Sequence, residues 1–137
     1  MPRPVADTLM VRVYYEDTDF SGVVYHASYL RFLERGRTES LRAIGFANRM
    51  LAEGEGVVFA VRSLQIDYKA PGVMDDLLRV ETRIEEVGGA TLTFDQNVYR
   101  DGAELVSAKV RMAVLRGGRP SRIPPLLRHA LAAHERR

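Results

Sequence analysis

Residues 27–44, ASYLRFLERGRTESLRAI, are the long stretch of this chain that repeats with a helical period. Tyr29, Phe32, Leu33, Gly36 and Ser40 fall on one stripe, and Arg31, Glu34, Arg35, Thr38 and Arg42 fall elsewhere, the pattern of a helix with one buried face. Gly36 interrupts that stripe. A mid-helix glycine costs roughly 1 kcal/mol against alanine, so its place there implies a close approach to a neighbouring surface. Gly45 supplies the stop.

Downstream the period changes to two. Residues 57–70, VVFAVRSLQIDYKA, read as a long strand, with Val57, Phe59 and Val61 on one parity and Leu64, Ile66 and Tyr68 on the other. A one-residue slip near Ser63 reconciles the two sets, so a bulge or sharp bend is expected there. Pro71-Gly72 closes the strand. Three more strands are expected near 77–87, 90–100 and 103–115, joined at Gly88-Gly89 and Asp101-Gly102, both two-residue hairpin signals. Upstream, residues 8–15, TLMVRVYY, are β-branched and aromatic and read as the first strand. From Pro124 the tail reads as a short helix with proline at its start and Leu126, Leu127, Ala130 and Leu131 on its apolar face. A single long amphipathic helix among five strands has one surface to bury against, a face of the sheet. The expected class is α+β: a hot-dog fold, with an antiparallel five-stranded sheet wrapped around one long central helix, in one domain spanning 1–137. Its other face and its edges need cover, so a dimer or larger oligomer is expected.

Composition narrows the class without naming a function. At 137 residues, 46% hydrophobic and 28% charged, the chain is about one domain and can bury a core. It has no cysteine, which excludes disulfides, thiolate metal sites and cysteine nucleophiles. The opening MPRPVADTLM lacks the apolar segment of a signal peptide. No run approaches the ~18 apolar residues of a membrane span, so a soluble, cytoplasmic protein is expected. The net charge of +2 is unevenly spread. No acidic residue stands between Glu104 and Glu135, where Lys109, Arg111, Arg116, Arg119, Arg122 and Arg128 all fall. Such a stretch suits phosphate groups or is simply a solvated basic face. It lacks interleaved aromatics and any nucleic-acid-binding motif, which argues against nucleic acid.

The chemistry is concentrated in Tyr15 to Tyr29, YEDTDFSGVVYHASY. Asp19, Phe20, Ser21 and Gly22 form a turn, and His26 stands at the helix start. A helix start presents unpaired backbone N–H groups and the positive end of the dipole, a place to polarise a carbonyl or hold an oxyanion. Asp19 is near enough in sequence to serve as nucleophile or general base beside it. Residue chemistry alone leaves other readings open: Asp19 as a turn cap, His26 as a satisfied helix-start residue, Tyr15 and Tyr25 as core aromatics. Residues 17–22, DTDFSG, match the first half of a calcium loop. That loop requires a glutamate at its twelfth position, and here the position is Ser28. A histidine–carboxylate site from Asp17, Asp19 and His26 has no further ligand nearby in sequence, because His129 and His134 lie in the tail. No metal is expected.

The stretch YYEDTDFSGVVYHASYLRFLERGRTESLR resembles the signature of the 4-hydroxybenzoyl-CoA thioesterase-like family, most closely its tol-pal system-associated acyl-CoA thioesterase branch. The resemblance continues through Leu64-Gln65-Ile66-Asp67-Tyr68, Ala70-Pro71, Asp75-Asp76-Leu77, Arg119-Pro120 and Ile123-Pro124. It implies a hot-dog fold, hydrolysis of acyl-CoA thioesters without metal or organic cofactor, and a homodimer or homotetramer with active sites between subunits. It implies Asp19 as the catalytic carboxylate, the His26 N–H as the donor to the thioester carbonyl, and roles for the His26 ring and Tyr15. Asp17 is expected to be structural. Tyr25, Phe59 and Val61 are the expected substrate contacts, with acyl carrier protein a further candidate partner. Two departures stand out. Phe20-Ser21 replaces the small Ala-Gly usual in that branch, and Gly88-Gly89-Ala90 replaces basic residues that meet the nucleotide phosphates in hydroxybenzoyl-CoA enzymes. The expected function is hydrolysis of short- or medium-chain acyl-CoA; the alternative is a hot-dog module that binds acyl-CoA or acyl carrier protein without turnover.

Overall fold

A computed structural model describes residues 6–135. Residues 1–5 and 136–137, the ends of the single expected domain, lie outside the described residues. The elements are β1 (Asp7–Arg12), α1 (Ser28–Ala43), α2 (Asn48–Met50), β2 (Val57–Tyr68), β3 (Leu77–Val87), β4 (Thr91–Arg100), β5 (Ala103–Arg116), β6 (Arg119–Pro120) and α3 (Pro125–Glu135). A single π-helical turn, Leu51–Glu55, follows α2. The five long strands form an antiparallel sheet in the order β1-β3-β4-β5-β2. This is the hot-dog architecture expected from the order of elements.

The expected slip in β2 is present. The ladder to β5 shifts register between Val61 and Ser63, leaving Arg62 as the extra residue. The sequence reading passed over β6, a two-residue strand folded back onto β5 by Gly117 and Gly118. Both of those glycines have positive φ, as a tight primed hairpin turn requires. The first strand is shorter than expected. Its regular ladder ends at Arg12, and Tyr15–Asp17 turn into a 3-10 helix. The cause is local: the Asp17 carboxylate accepts the Tyr14 N–H at 2.8 Å, which withdraws that donor from the sheet.

α1 packs on the β1–β3 side of the sheet, and its Phe32 and Leu33 are buried in the same core cluster as Val80, Phe94 and Val98. α3 closes one end with Leu127 and Leu131. Gly36 is where helix and sheet come closest. A Cβ there would stand 2.7 Å from Thr82 Oγ1 and 3.0 Å from Gln96 Nε2 and Val80 Cγ1. Gln96, fully buried, uses that proximity. Its Nε2 donates to the Leu33 carbonyl and to Thr82 Oγ1, both at 2.9 Å, and its Oε1 accepts from Arg37 Nη1 at 3.0 Å.

By strand parity, the opposite face carries Arg79, Glu81, Arg83 and the Lys109–Glu85 ion pair. It is a face that water covers well. The exposed apolar residues that ask for cover lie instead on the edge strand β2, at Val58, Val61, Leu64 and Tyr68. Among the described residues no helix is long and apolar enough to cross a membrane.

Gly36→Val forces a branched side chain into Thr82, Gln96 and Val80, and is expected to destabilise the protein by about 3 kcal/mol, the upper range for overpacking. Urea denaturation checks this; an unchanged midpoint contradicts the close contact.

Candidate active site

The connection from β1 to α1 is a small loop braced at its base. Thr18 and Val24 form an antiparallel bridge, and Val23 forms another with Val73. Asp19 N–H donates to the Val23 carbonyl at 2.8 Å, Val24 N–H to Gly72 at 2.8 Å, and Tyr25 N–H to Asp17 at 2.9 Å. Gly22, at φ 88°, supplies the left-handed residue at which the loop reverses. Phe20 and Ser21 form its exposed tip.

The two aspartates divide their work. Asp17 is buried; besides holding the Tyr14 N–H, it faces Arg31 Nη2 at 3.5 Å. Asp19 is exposed. Its Oδ1 accepts both the Ser21 N–H at 2.8 Å and the Ser21 hydroxyl at 2.7 Å. These two bonds, the hydroxyl first, hold its carboxyl below the usual carboxylate range. Asp19 is therefore ionised at neutral pH, with Oδ2 left without a hydrogen bond among the described residues.

His26 stands where the loop becomes helix. Its ring lies between Tyr25, with centroids 4.5 Å apart, and Tyr68, at 6.2 Å in an edge-on arrangement. The Tyr25 carbonyl accepts the Ser28 N–H at 2.8 Å, and the His26 carbonyl accepts the Tyr68 hydroxyl at 2.9 Å. The amides of His26 and Ala27 have no acceptor among the described residues. They are orphan donors of a helix start and carry its positive dipole end.

Asp19 and His26 line one cleft of about 360 Å³, together with Tyr29, Tyr68, Lys69 and Pro71. The other expected site residues lie apart from it. Tyr15 is in the 3-10 turn with its ring in solvent, and Tyr25 reaches the site through its contact with the His26 ring. Phe59 and Val61 line a second cavity of about 340 Å³, beside Arg37, Leu41, Phe94 and Met112. Tyr68 and Lys69 were absent from the sequence-based set. Tyr68 carried one usable signal: it ends the apolar row of β2 with a hydroxyl that requires a partner. Lys69 is committed to Glu104, at 2.7 Å. Among the described residues no cluster of histidine and carboxylate groups could hold a metal.

A family model described as the thioesterase superfamily matches residues 21–107. This chain belongs to that superfamily. It is 52% identical over 103 residues to the acyl-CoA thioesterase YbgC of Haemophilus influenzae, covering 75% of this chain and 76% of that protein. To the acyl-CoA thioester hydrolase YbgC of Escherichia coli it is 50% identical over 88 residues, 64% and 65% of the two chains. The crystal structure of a probable thioesterase from Bartonella henselae superposes with a TM-score of 0.84 at 46% identity, over 87% of this chain and 99% of that one. The superfamily match begins two residues after Asp19 and so does not include that residue.

The basic stretch is partly spent inside the fold. Arg128 Nη2 donates to the Gly88 and Gly89 carbonyls at 2.8 and 3.1 Å, and Arg116 holds the Glu55 carbonyl. An arginine thus sits at the glycine turn, with donors turned to backbone oxygens.

Because the Ser21 hydroxyl is the largest influence lowering the Asp19 pKa, Ser21→Ala is expected to move its titration up in pH. Carbon-13 NMR of the Asp19 carboxyl reads this directly; an unmoved midpoint contradicts the hydrogen bond.

Proposed function

We propose that this protein is an acyl-CoA thioesterase that hydrolyses short- or medium-chain acyl-CoA to the free acid and coenzyme A. The observation that carries the reading is one cleft shared by Asp19, an ionised carboxylate with a free oxygen, and His26, whose helix-start amide has no acceptor among the described residues. In this reading the thioester carbonyl oxygen lies on the His26 N–H, where developing negative charge is stabilised. Asp19 then acts in one of two ways. Its Oδ2 adds to the carbonyl carbon, the C–S bond breaks with loss of the thiolate, and water hydrolyses the mixed anhydride. Alternatively Asp19 takes a proton from an attacking water, and the tetrahedral intermediate expels the thiolate. Both routes need the ionised form that Ser21 favours. The names of the YbgC relatives support the substrate class.

The unpaired edge of β2 supports a homodimer. A long, apolar free edge invites a second strand. Antiparallel pairing of two β2 strands would bring the Tyr68 end of one protomer toward the Val57 end of the other. The Phe59–Val61 cavity of one protomer then lies beside the Asp19 cleft of its mate, as an acyl pocket completed between subunits.

Asp19→Ala is expected to lower kcat by about 10²–10⁴, the range for a positioned catalytic group, with the fold intact by circular dichroism. His26→Asn keeps the backbone donor and is expected to be less impaired than Asp19→Ala but clearly below wild type. Thiol release from a panel of acyl-CoA esters measures both and reports chain-length preference. Saturable binding of acyl-CoA with no release by the wild type would favour the non-catalytic module instead. Light scattering is expected to show a dimer or larger; a monomer at assay concentration removes the shared pocket.

A further inference from the structure

We propose that Tyr68 is a positioning residue for thioester cleavage: its hydroxyl, donated to the His26 carbonyl, fixes the peptide unit between His26 and Ala27, just before α1, so that the Ala27 N–H joins the His26 N–H as an oxyanion donor. The proposal rests on the reading of Asp19 and His26 given above and extends it to the far end of β2.

The peptide unit is planar and trans, so its C=O and N–H point in opposite directions and turn together. Two such units matter here. The 25–26 unit is fixed because the Tyr25 carbonyl accepts the Ser28 N–H at 2.8 Å, which sets the direction of the His26 N–H. The 26–27 unit lacks that support from the helix. Leu30 N–H bonds to Ala27 at 3.1 Å and leaves the His26 carbonyl outside the helical ladder. The Tyr68 hydroxyl, 2.9 Å away and 42 residues distant in sequence, is its partner among the described residues. Fixing that oxygen fixes the Ala27 N–H on the opposite side of the unit. Two consecutive free amides are thereby held at the helix start, the first of them on His26, which lines the Asp19 cleft, and bonding at each carbonyl also polarises the N–H of the same unit.

The Tyr68 ring has a separate job. It packs against Tyr29, with centroids 5.7 Å apart, and meets the His26 ring edge-on. Packing needs only the ring. A half-exposed hydroxyl has water for a partner, so its engagement with a helix-start carbonyl is the part that packing does not explain. Burial raises the Tyr68 pKa, which keeps the hydroxyl a donor through the neutral range.

Tyr68→Phe deletes the donor and keeps the ring. The expected result is a kcat lowered about ten-fold, less than the 10²–10³ for loss of a whole oxyanion donor. KM should stay within about a factor of two, since an interaction made mainly in the transition state appears in kcat. The melting temperature and the pH–rate profile should be unchanged. A Tyr68→Phe enzyme with wild-type kcat overturns the proposal, and so does a loss that appears wholly in KM or tracks a lowered melting temperature. Asp19→Ala, assayed alongside, separates the two levels. Loss of turnover there with Tyr68→Phe at full rate removes Tyr68 alone; full turnover in Asp19→Ala removes both.

Discussion

The hydrogen bonds of the Gln96 side chain set where α1 lies on the sheet, and the site inherits its position from them. The amide is buried in the contact that Gly36 makes possible and reaches the Leu33 carbonyl, Thr82 and Arg37. Each partner left unsatisfied in such a place costs about 1–3 kcal/mol, so the helix resists sliding or rotating on the sheet. α1 has 16 residues, a length of about 24 Å at roughly 1.5 Å per residue. A shift at Gly36 would be carried along that rod to its first turn, moving the free amides of His26 and Ala27 relative to Asp19.

The loop before α1 solves a second problem, that of presenting a carboxylate in water without letting it wander. Asp17 is taken into the fold and spends its oxygens on Tyr14 and Arg31. Asp19, two residues on, is held by Ser21 through one oxygen and left free at the other. A residue with one fixed and one open oxygen suits attack on an electrophile better than a fully satisfied cap does. Phe20 and Ser21 at the tip are thus not equivalent: Ser21 tunes Asp19, while Phe20 stands in solvent.

What could be read from the sequence was what local chemistry encodes. The bulge near Ser63 followed from a parity conflict, the close contact at Gly36 from a glycine on a buried stripe, and the Asp101-Gly102 hairpin from its turn residues. Asp19 and His26 share a motif, and the fold brings both to one cleft. Contacts between residues far apart in the chain were not legible. Gln96 meets Leu33 across 63 residues and Tyr68 meets His26 across 42, and no periodicity announces either pair. The early end of β1 was missed because one carboxylate, Asp17, outweighed a run of residues with high strand propensity. Phe59 and Val61 show the remaining limit. The family resemblance made them expected substrate contacts, yet they line a cavity separate from the Asp19 cleft, a separation that their position on one strand does not announce.

The central claim is that the thioester is cleaved between Asp19 and the start of α1. A crystal structure of Asp19→Ala with an intact acyl-CoA tests it most directly. The expected result is the thioester carbonyl oxygen within hydrogen-bonding distance of the His26 amide, its carbon facing the vacated carboxylate position. A thioester bound elsewhere, with those amides turned to water, would contradict it.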